Sequence, residues 1–573
     1  MAPAGRYYEQ ANPDLLYRIP VNAKAVLEIG CGAGALGEAY KAINPNATYV
    51  GVELMPEPAA QARKVLDHVI EGDISKKEIG QLSIPKKITK VDCLIFGDVL
   101  EHLVEPEYVL KKLLPLLKDN GVLLLCIPNV QHWSVLANLL RGEWPQEEQG
   151  IFDRTHLRWF TKQSVVNMLI TQGLNIKEIH PRIFKPEMAS EFITALQPAL
   201  VNLNLSPQEV LEGSAPLQYV VRATKKEVPN IQINGLMLKP QAGMNDVRMI
   251  QPLRSVASMP GVELQLTCGS LNLKQADKSI PKIMIWQRQL LTYEESLDRI
   301  QLALKAGYIL ISEFDDDPDH WPLIRANRNL NFTAMHAVQV STYPLAEQIR
   351  SMNPEVAVFE NCLEKVPSID HTKWDHAGAN KPLRVFFGAL NRKDDWADWI
   401  NELNAVLTEC PNKLEIEVVH DQEFFDQLKT NKKRFTPTCN YNLYLKLLGE
   451  CHISLLPLSP TEFNKKKSDL KFIEAAGNQI AAIASPTIYT NTIHDLHTGA
   501  ICKDGEHLGE ILKQWIKDPT RPKDIAANAR DWCIKKRLQH SQSAQRLKWY
   551  HSLWERKETL TASLLSRVPE LNQ

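Results

Sequence analysis

Four acids and a glycine turn stand at intervals that suit a nucleotide-like ligand. Val26–Gly37 reads VLEIGCGAGALG, with Gly30, Gly32 and Gly34 at alternate positions. Such glycines let the backbone turn sharply and approach a ligand with no Cβ between. A helix from about Ala35 then aims its N-terminal amides at whatever lies there. Glu28 precedes the first glycine by two residues, Glu53 ends YVGVE, Asp73 stands in EGDI and Asp98 in FGDVLEHL. A carboxylate at the end of a second strand can accept both hydroxyls of a ribose. Asp73 can meet an adenine amino group, with Ile74 against the ring. Gly30-x-Gly32-x-x-Ala35 followed by Glu53 also satisfies the dinucleotide fingerprint, so the turn alone leaves both classes of ligand open.

A second set of residues could move a proton. His102 lies in LEHL, and Asp153 and His156 lie in DRTHLRWF. An Asp–His pair at i, i+3 can orient an imidazole as general base. Asp153 and His156 would equally well brace the loop before a helix at 161–172, and Glu101-His102 would also suit a divalent metal. Tyr7 and Tyr8 would either close over the ligand or simply pack.

These residues need a scaffold, and the chain is long enough for three or four domains. Its 573 residues exceed one core, and 44% apolar with 23% charged residues is ordinary globular composition. A net charge of −1 offers no field for nucleic acid or an anionic surface. Ten cysteines without a C-x-x-C indicate neither a zinc site nor a disulfide framework and suit a reducing cytoplasm. MAPAGRYYEQANPD lacks the apolar run of a signal peptide, and runs such as 121–127 are too short to span a membrane.

Strands are expected at 25–29, 48–52, 69–70, 91–96 and 122–127, with helices near 35–43, 56–67, 105–118 and 161–172. This alternation predicts a parallel sheet with helices on both faces, and the ligand across the C-terminal strand edges. With Glu28 two residues before the first glycine, the turn resembles the E-x-G-x-G-x-G motif of class I S-adenosylmethionine (SAM) methyltransferases. The ordered acids and LLLCIPN through Pro128-Asn129 extend that resemblance. It implies SAM as cofactor, bound by Glu28, Gly30, Gly32, Gly34, Glu53, Asp73, Ile74 and Asp98, and two further strands near 176–183 and 218–223 that complete a seven-stranded sheet with its last strand antiparallel. Asp153–Phe160 resembles a D-x-T-H-x-R-x-F segment of methyltransferases from surface-polysaccharide and natural-product pathways. That makes a sugar hydroxyl the expected methyl acceptor, with His102, His156 and Asp153 as candidate catalytic groups and no obligatory metal.

Past a polar linker at 225–229, a new α/β series begins. Strands are expected near 231–238, 263–266, 283–286, 308–313, 337–341 and 356–359, then 384–387, 414–419, 453–456 and 480–484. Two such domains in succession resemble GT-B glycosyltransferases. Phe463–Ala476 (FNKKKSDLKFIEAA) resembles the donor-binding segment of their retaining, family 4-like members, and Ala482–Pro486 the strand and turn beyond it. The resemblance places Asn464, Lys467 and Ser468 at a diphosphate, where amides and a cation replace a metal, and Glu474 at the ribose. Gly388 with Arg392 and Lys393 matches a basic pair early in the family's second domain, and the Gly243 loop its glycine-rich first loop. Glu313–Asp319 (EFDDDPD) would serve acceptor-side hydrogen bonding, turn capping or helix N-capping, with metal binding the lesser alternative. The family's first glutamate of E-x7-E falls on Lys466, which weakens the expectation of sugar transfer more than that of nucleotide binding.

The chain is thus expected to be α/β throughout: a SAM methyltransferase domain at 1–225, an acceptor-side Rossmann-like domain at 226–378, and a nucleotide-sugar-side domain with terminal helices at 379–573. Its expected function is methylation of a glycan coupled with glycosyl transfer from a UDP- or GDP-sugar, in the cytoplasm. The acceptor would be a glycan, free or lipid-linked, with no nucleic acid and no membrane span. The alternative is a methyltransferase whose second half binds a nucleotide sugar or glycan without transferring it.

Overall fold

The computed structural model describes residues 10–76, 85, 87–238, 243–269, 279–375, 377, 381–390 and 392–572. Tyr7, Tyr8 and residues 239–242 of the Gly243 loop lie outside the described residues. The chain forms two compact units, Met1–Asn230 with Ala257–Val262, and Ile231–Val256 with Glu263–Gln573.

The first unit holds β1 (Ala25–Ile29), β2 (Thr48–Glu53), β3 (His68–Glu71), β4 (Val91–Gly97), β5 (Leu117–Pro128), β6 (Asn175–Ile183) and β7 (Pro216–Thr224). They lie in the order β3-β2-β1-β4-β5-β7-β6, with β7 antiparallel to both its neighbours, as the sequence implied. All five β1 residues are buried because helices cover both faces of the sheet. Alternate side chains divide between two cores. Leu27, Ile29, Val50, Val52, Leu94 and Phe96 face one way; Val26, Tyr49, Cys93 and Ile95 face the other. The β1–β2 register sets Ile29 beside Val52, which brings the glycine turn level with Glu53 at the C-terminal edge. The helix expected through 118 ends at Leu113, with a 3₁₀ turn over Leu114–Leu116, because Pro115 cannot continue it. Helices Trp133–Leu140, Pro186–Asn202 and Pro207–Ser214 were not anticipated, although proline at a first helical position is a start signal that Pro186 and Pro207 both carry.

The second unit contains two six-stranded sheets. The first is built from β8 (Ile231–Met237), β9 (Val262–Cys268), β10 (Lys282–Gln287), β11 (Ile309–Phe314), β12 (Ala337–Val340) and β13 (Val356–Val358), in the order β13-β12-β11-β10-β8-β9. The second is built from β14 (Leu383–Gly388), β15 (Leu414–Val419), β16 (Lys433–Thr436), β17 (Ile453–Leu456), β18 (Ala481–Ala484) and β19 (Ala500–Ile501), in the doubly wound order β16-β15-β14-β17-β18-β19. The edge strands β16 and β19 escaped the sequence reading. One is polar (KRFT) and the other two residues long, so both exist by virtue of their neighbours.

The last helices return to the first of these sheets. Tyr550 donates to Gln339 Oε1 at 2.9 Å, and Leu564 and Val568 pack with Met284, Trp286 and Leu310. No helix among the described residues is long and apolar enough to cross a membrane.

Candidate active site

The glycine turn is held open by its own strand edge. Gly30, Gly32 and Gly34 take φ of +72°, +54° and +87°, the left-handed region that favours glycine. The Gly30 and Cys31 amides donate to Val52 O at 2.8 and 3.1 Å. Glu53 receives the Gly32 amide on Oε2 at 2.8 Å and the Met55 amide on Oε1 at 2.9 Å. Each oxygen keeps a second lone-pair direction, which is what a ribose diol requires. Among the described residues no side chain caps the helix Ala35–Ile43, whose N-cap is Gly34, so its first amides face the turn. The donor and acceptor groups present therefore fit SAM.

Glu28 departs from the ligand role the motif implied. Only 4% exposed, it accepts the Tyr49 hydroxyl at 2.9 Å behind the turn, and burial lifts its carboxyl to about 8 against that hydrogen bond. The acid is protonated at neutral pH and braces β1 against β2. The stability of this neutral form is fully present below the unfolded value of about 4.5 and is lost as pH rises through about 8. Glu28→Gln keeps the acceptor and removes the proton. Chemical denaturation should show the wild type losing roughly 4 kcal/mol more than the variant between pH 4.5 and 8; parallel curves would disprove the buried proton.

Asp73 is turned onto its own loop. Its Oδ1 accepts the Ser75 hydroxyl at 2.6 Å and the Ser75 amide at 3.0 Å, and Lys76 lies 3.2 Å from Oδ2. The Ser75 hydroxyl is the main reason its carboxyl lies below the usual range. Ile74, expected against an adenine ring, is buried in the core with Val52, Ile70 and Phe96. Asp98 takes φ +54° and accepts the Gln218 amide at 2.7 Å, a partner on β7 that no local motif announces.

Beside Asp98 the chain gathers Glu101, His102 and His156, whose ligand atoms lie within 4.8 Å of one another. The two rings meet edge to face at 4.8 Å. The peptide that carries His156 is fixed by Leu157 and Arg158 amides donating to Glu101 O at 2.8 and 3.0 Å. His156 Nδ1 donates to Ile151 O at 3.0 Å, which leaves Nε2 with the lone pair. Burial, the largest influence on it, holds this imidazole below its usual pKa and hence neutral at pH 7.

Asp153 does not orient His156 directly. It accepts the Thr155 hydroxyl at 2.6 Å and the Thr155 amide at 2.8 Å, and that hydroxyl lies 3.0 Å from His102 Nδ1. The i, i+3 spacing suggested the wrong partner because a turn, rather than a helix, carries the pair. Glu101 is 1% exposed, its Oε2 has no hydrogen-bond partner among the described residues, and burial above all raises its pKa well above the usual range. Two imidazoles and a buried carboxyl make a donor set able to hold a divalent cation.

In the second unit the candidate donor residues converge but are occupied by protein partners. Asn464 Nδ2 donates to Asp395 Oδ1 at 2.7 Å, and Arg392 bridges Asp395 at 2.9 Å and Asn464 Oδ1 at 3.1 Å. Ser468 accepts from Asn361 at 2.7 Å, ahead of the helix Leu470–Gly477. Lys393 turns away to the exposed Glu423 and joins none of them. Glu474, 2% exposed, accepts the Tyr441 hydroxyl at 2.7 Å; burial first of all lifts its carboxyl to about 7. Gly243, φ +83°, lies against the same tyrosine: a Cβ there would stand 3.2 Å from the ring. Lys471 donates to Gly388 O. Tyr441 carried no sequence signal, since it enters the site from a separate helix.

Comparison with known proteins agrees with the first unit. Residues 27–123 match the family described as "Methyltransferase domain". An uncharacterized 37.1 kDa protein in transposon TN4556 of Streptomyces fradiae is 27% identical over 173 residues, 30% of this chain and 46% of that protein. The chain therefore spans about half the length of that relative. The mitochondrial ubiquinone biosynthesis O-methyltransferase of Schizosaccharomyces pombe is 24% identical over 198 residues, 34% of this chain and 70% of the enzyme. Among solved structures, Anabaena Alr3699/HepE in complex with UDP and glucose is 14% identical with a TM-score of 0.41, covering 56% of this chain and 99% of its own. The matched residues 27–123 are those that carry the glycine turn and the strand-end acids.

Proposed function

We propose that the first unit transfers a methyl group from SAM to a sugar hydroxyl, in bacterial polysaccharide or glycan assembly, and that the second transfers a glycosyl group from a UDP- or GDP-sugar. The observation that carries the methylation reading is the meeting of the glycine turn, Glu53 and a neutral His156 at one sheet edge. SAM, held by the turn and Glu53, supplies an electrophilic methyl. The chain's own work is to orient the acceptor oxygen in line, exclude water and take its proton on His156 Nε2. The resemblance of Asp153–Phe160 to polysaccharide-pathway enzymes supports a glycan acceptor, free or lipid-linked. Ten free cysteines support a reducing cytoplasm. In this reading the domains run 1–225, 226–378 and 379–573.

Glu101 Oε2, without a hydrogen-bond partner among the described residues, stands beside the two imidazoles and favours a variant of the same reaction. Glu101, His102 and His156 would then hold a divalent cation that acidifies the acceptor hydroxyl. For the second unit, Lys466 in place of a sugar-binding glutamate favours binding without transfer.

Calorimetric titration of the full chain with SAM, then with UDP, GDP, dTDP, ADP and CMP, tests both halves. A nucleotide at a hundred times its Kd should also stabilise the protein by about 2.7 kcal/mol. Absence of SAM binding would remove the methylation reading. Failure of every nucleotide would leave a second half that serves glycan binding, and Glu474→Ala should weaken any nucleotide that does bind by about 1.5–3 kcal/mol.

A further inference from the structure

Lys467, expected at the diphosphate, and its neighbour Lys466 are both already paired with carboxylates from within the chain. Lys467 Nζ lies 2.7 Å from Asp316 Oδ1, and Lys466 Nζ lies 2.8 Å from Asp317 Oδ2. Arg288 Nε lies 2.5 Å from Asp315 Oδ1, and the same guanidinium 3.7 Å from Asp316 Oδ2. The three aspartates follow β11 of the first sheet, whereas both lysines belong to the loop before the helix Leu470–Gly477 of the second sheet's domain. The pairs therefore join the two halves of the unit. Hydrogen bonds set the same register: Thr342 Oγ1 donates to Lys466 O at 3.0 Å, and Asn361 to Ser468 Oγ at 2.7 Å. The rings of His320 and Phe463 meet at 4.6 Å.

The pairs are shielded from water. Lys466 and Lys467 are 17% and 21% exposed at the side chain, Asp317 and Asp316 only 6% and 10%. Burial opposes ionisation of both acids, yet Lys467 and Lys466 hold Asp316 and Asp317 below the usual carboxylate range. Three cations, Arg288, Lys466 and Lys467, face three carboxylates, Asp315, Asp316 and Asp317. The cluster thus has no net positive charge with which to attract a diphosphate. A diphosphate could not share these lysines with the aspartates, because two further negative charges would stand uncompensated in a poorly hydrated site. Asp316 and Asp317 also present two linked anionic groups to two consecutive lysines, much as a diphosphate would.

We propose that the Asp315–Asp317 loop is an internal stand-in for the donor diphosphate. It closes the two halves of the unit through Lys466 and Lys467, and it is displaced when a nucleoside diphosphate takes both lysines. The inference rests on the donor-site reading of the second unit. It also gives Lys466 a purpose where the family's pattern has a glutamate: the lysine is one jaw of the closure.

Asp316→Asn/Asp317→Asn tests it in the full chain. Asparagine keeps the oxygen that accepts the Asp317 amide at 3.0 Å and the Asp319 amide at 3.1 Å, and removes only the charge. Titration with UDP and with GDP should show the double variant binding at least ten-fold more tightly than wild type. Hydrogen exchange over 313–320 and 463–468 should be faster in the nucleotide-free variant, and over 313–320 also in wild type once UDP or GDP is bound. Asp316→Glu, which keeps the charge, should resemble wild type, and single Asp317→Asn serves if the double variant does not fold. Equal or weaker nucleotide binding in the variants, with wild type binding normally, overturns the stand-in alone. Unchanged exchange in the variants overturns the closure. If neither nucleotide binds any form, the donor reading falls and takes the stand-in with it, whatever the exchange shows.

Discussion

Gly32→Val should abolish SAM binding while leaving the second unit intact. At φ +54° a β-branched residue is strongly disfavoured, so the turn must rearrange. The Gly32 amide also donates to Glu53 Oε2 at 2.8 Å, and moving it disturbs the carboxylate proposed to hold the ribose. Titration calorimetry should show SAM affinity reduced at least 100-fold, about 2.8 kcal/mol. Any nucleotide bound by the second unit should bind the variant as it binds wild type, which separates a lost site from a lost fold. Wild-type affinity for SAM would move the cofactor away from this turn.

His156→Asn should lower kcat for methyl transfer by about 10²–10⁴-fold, the usual contribution of a general base, with SAM affinity preserved. Asparagine can still donate toward Ile151 O, which His156 Nδ1 reaches at 3.0 Å, but it brings no basic nitrogen. Because burial holds the imidazole below its usual pKa, the wild-type rate should persist at mildly acidic pH and fall only as pH drops through a value under 6.5. A chelator separates the base from the cation. If His156 acts alone, removing divalent ions leaves the rate unchanged. If Glu101, His102 and His156 hold a cation, chelation reproduces the loss, and re-addition of the metal restores the wild type but not His156→Asn. A variant with undiminished kcat would exclude both roles.

Much of the scaffold was legible because its signals are local. Alternating apolar runs and glycine-punctuated turns identified β1, β2 and β4 almost to the residue, since a strand buried on both faces must be apolar throughout. Where helices were missed or overrun, as at Pro115 and Pro186, proline governed the outcome and the apolar pattern did not.

The site divides along the same line. The positions of Gly30–Gly34 and Glu53 follow from one strand, one turn and the next strand, all within thirty residues of chain. The sequence by itself therefore determined the fold class, the sheet edge that carries the glycine turn and the succession of sheets. It did not determine which partner each polar side chain takes. Glu28 turns to Tyr49, Asp98 to Gln218, Asp153 to His102 through Thr155, Glu474 to Tyr441, and Lys466 and Lys467 to Asp317 and Asp316. Buried polar groups must find a partner or lose several kcal/mol of hydration, roughly 1–3 for a neutral group and more for a charge. Here they find it in segments up to 151 residues away. Only the tertiary structure brings those segments together, so only it decided which acids are free to meet a ligand and which already hold the chain.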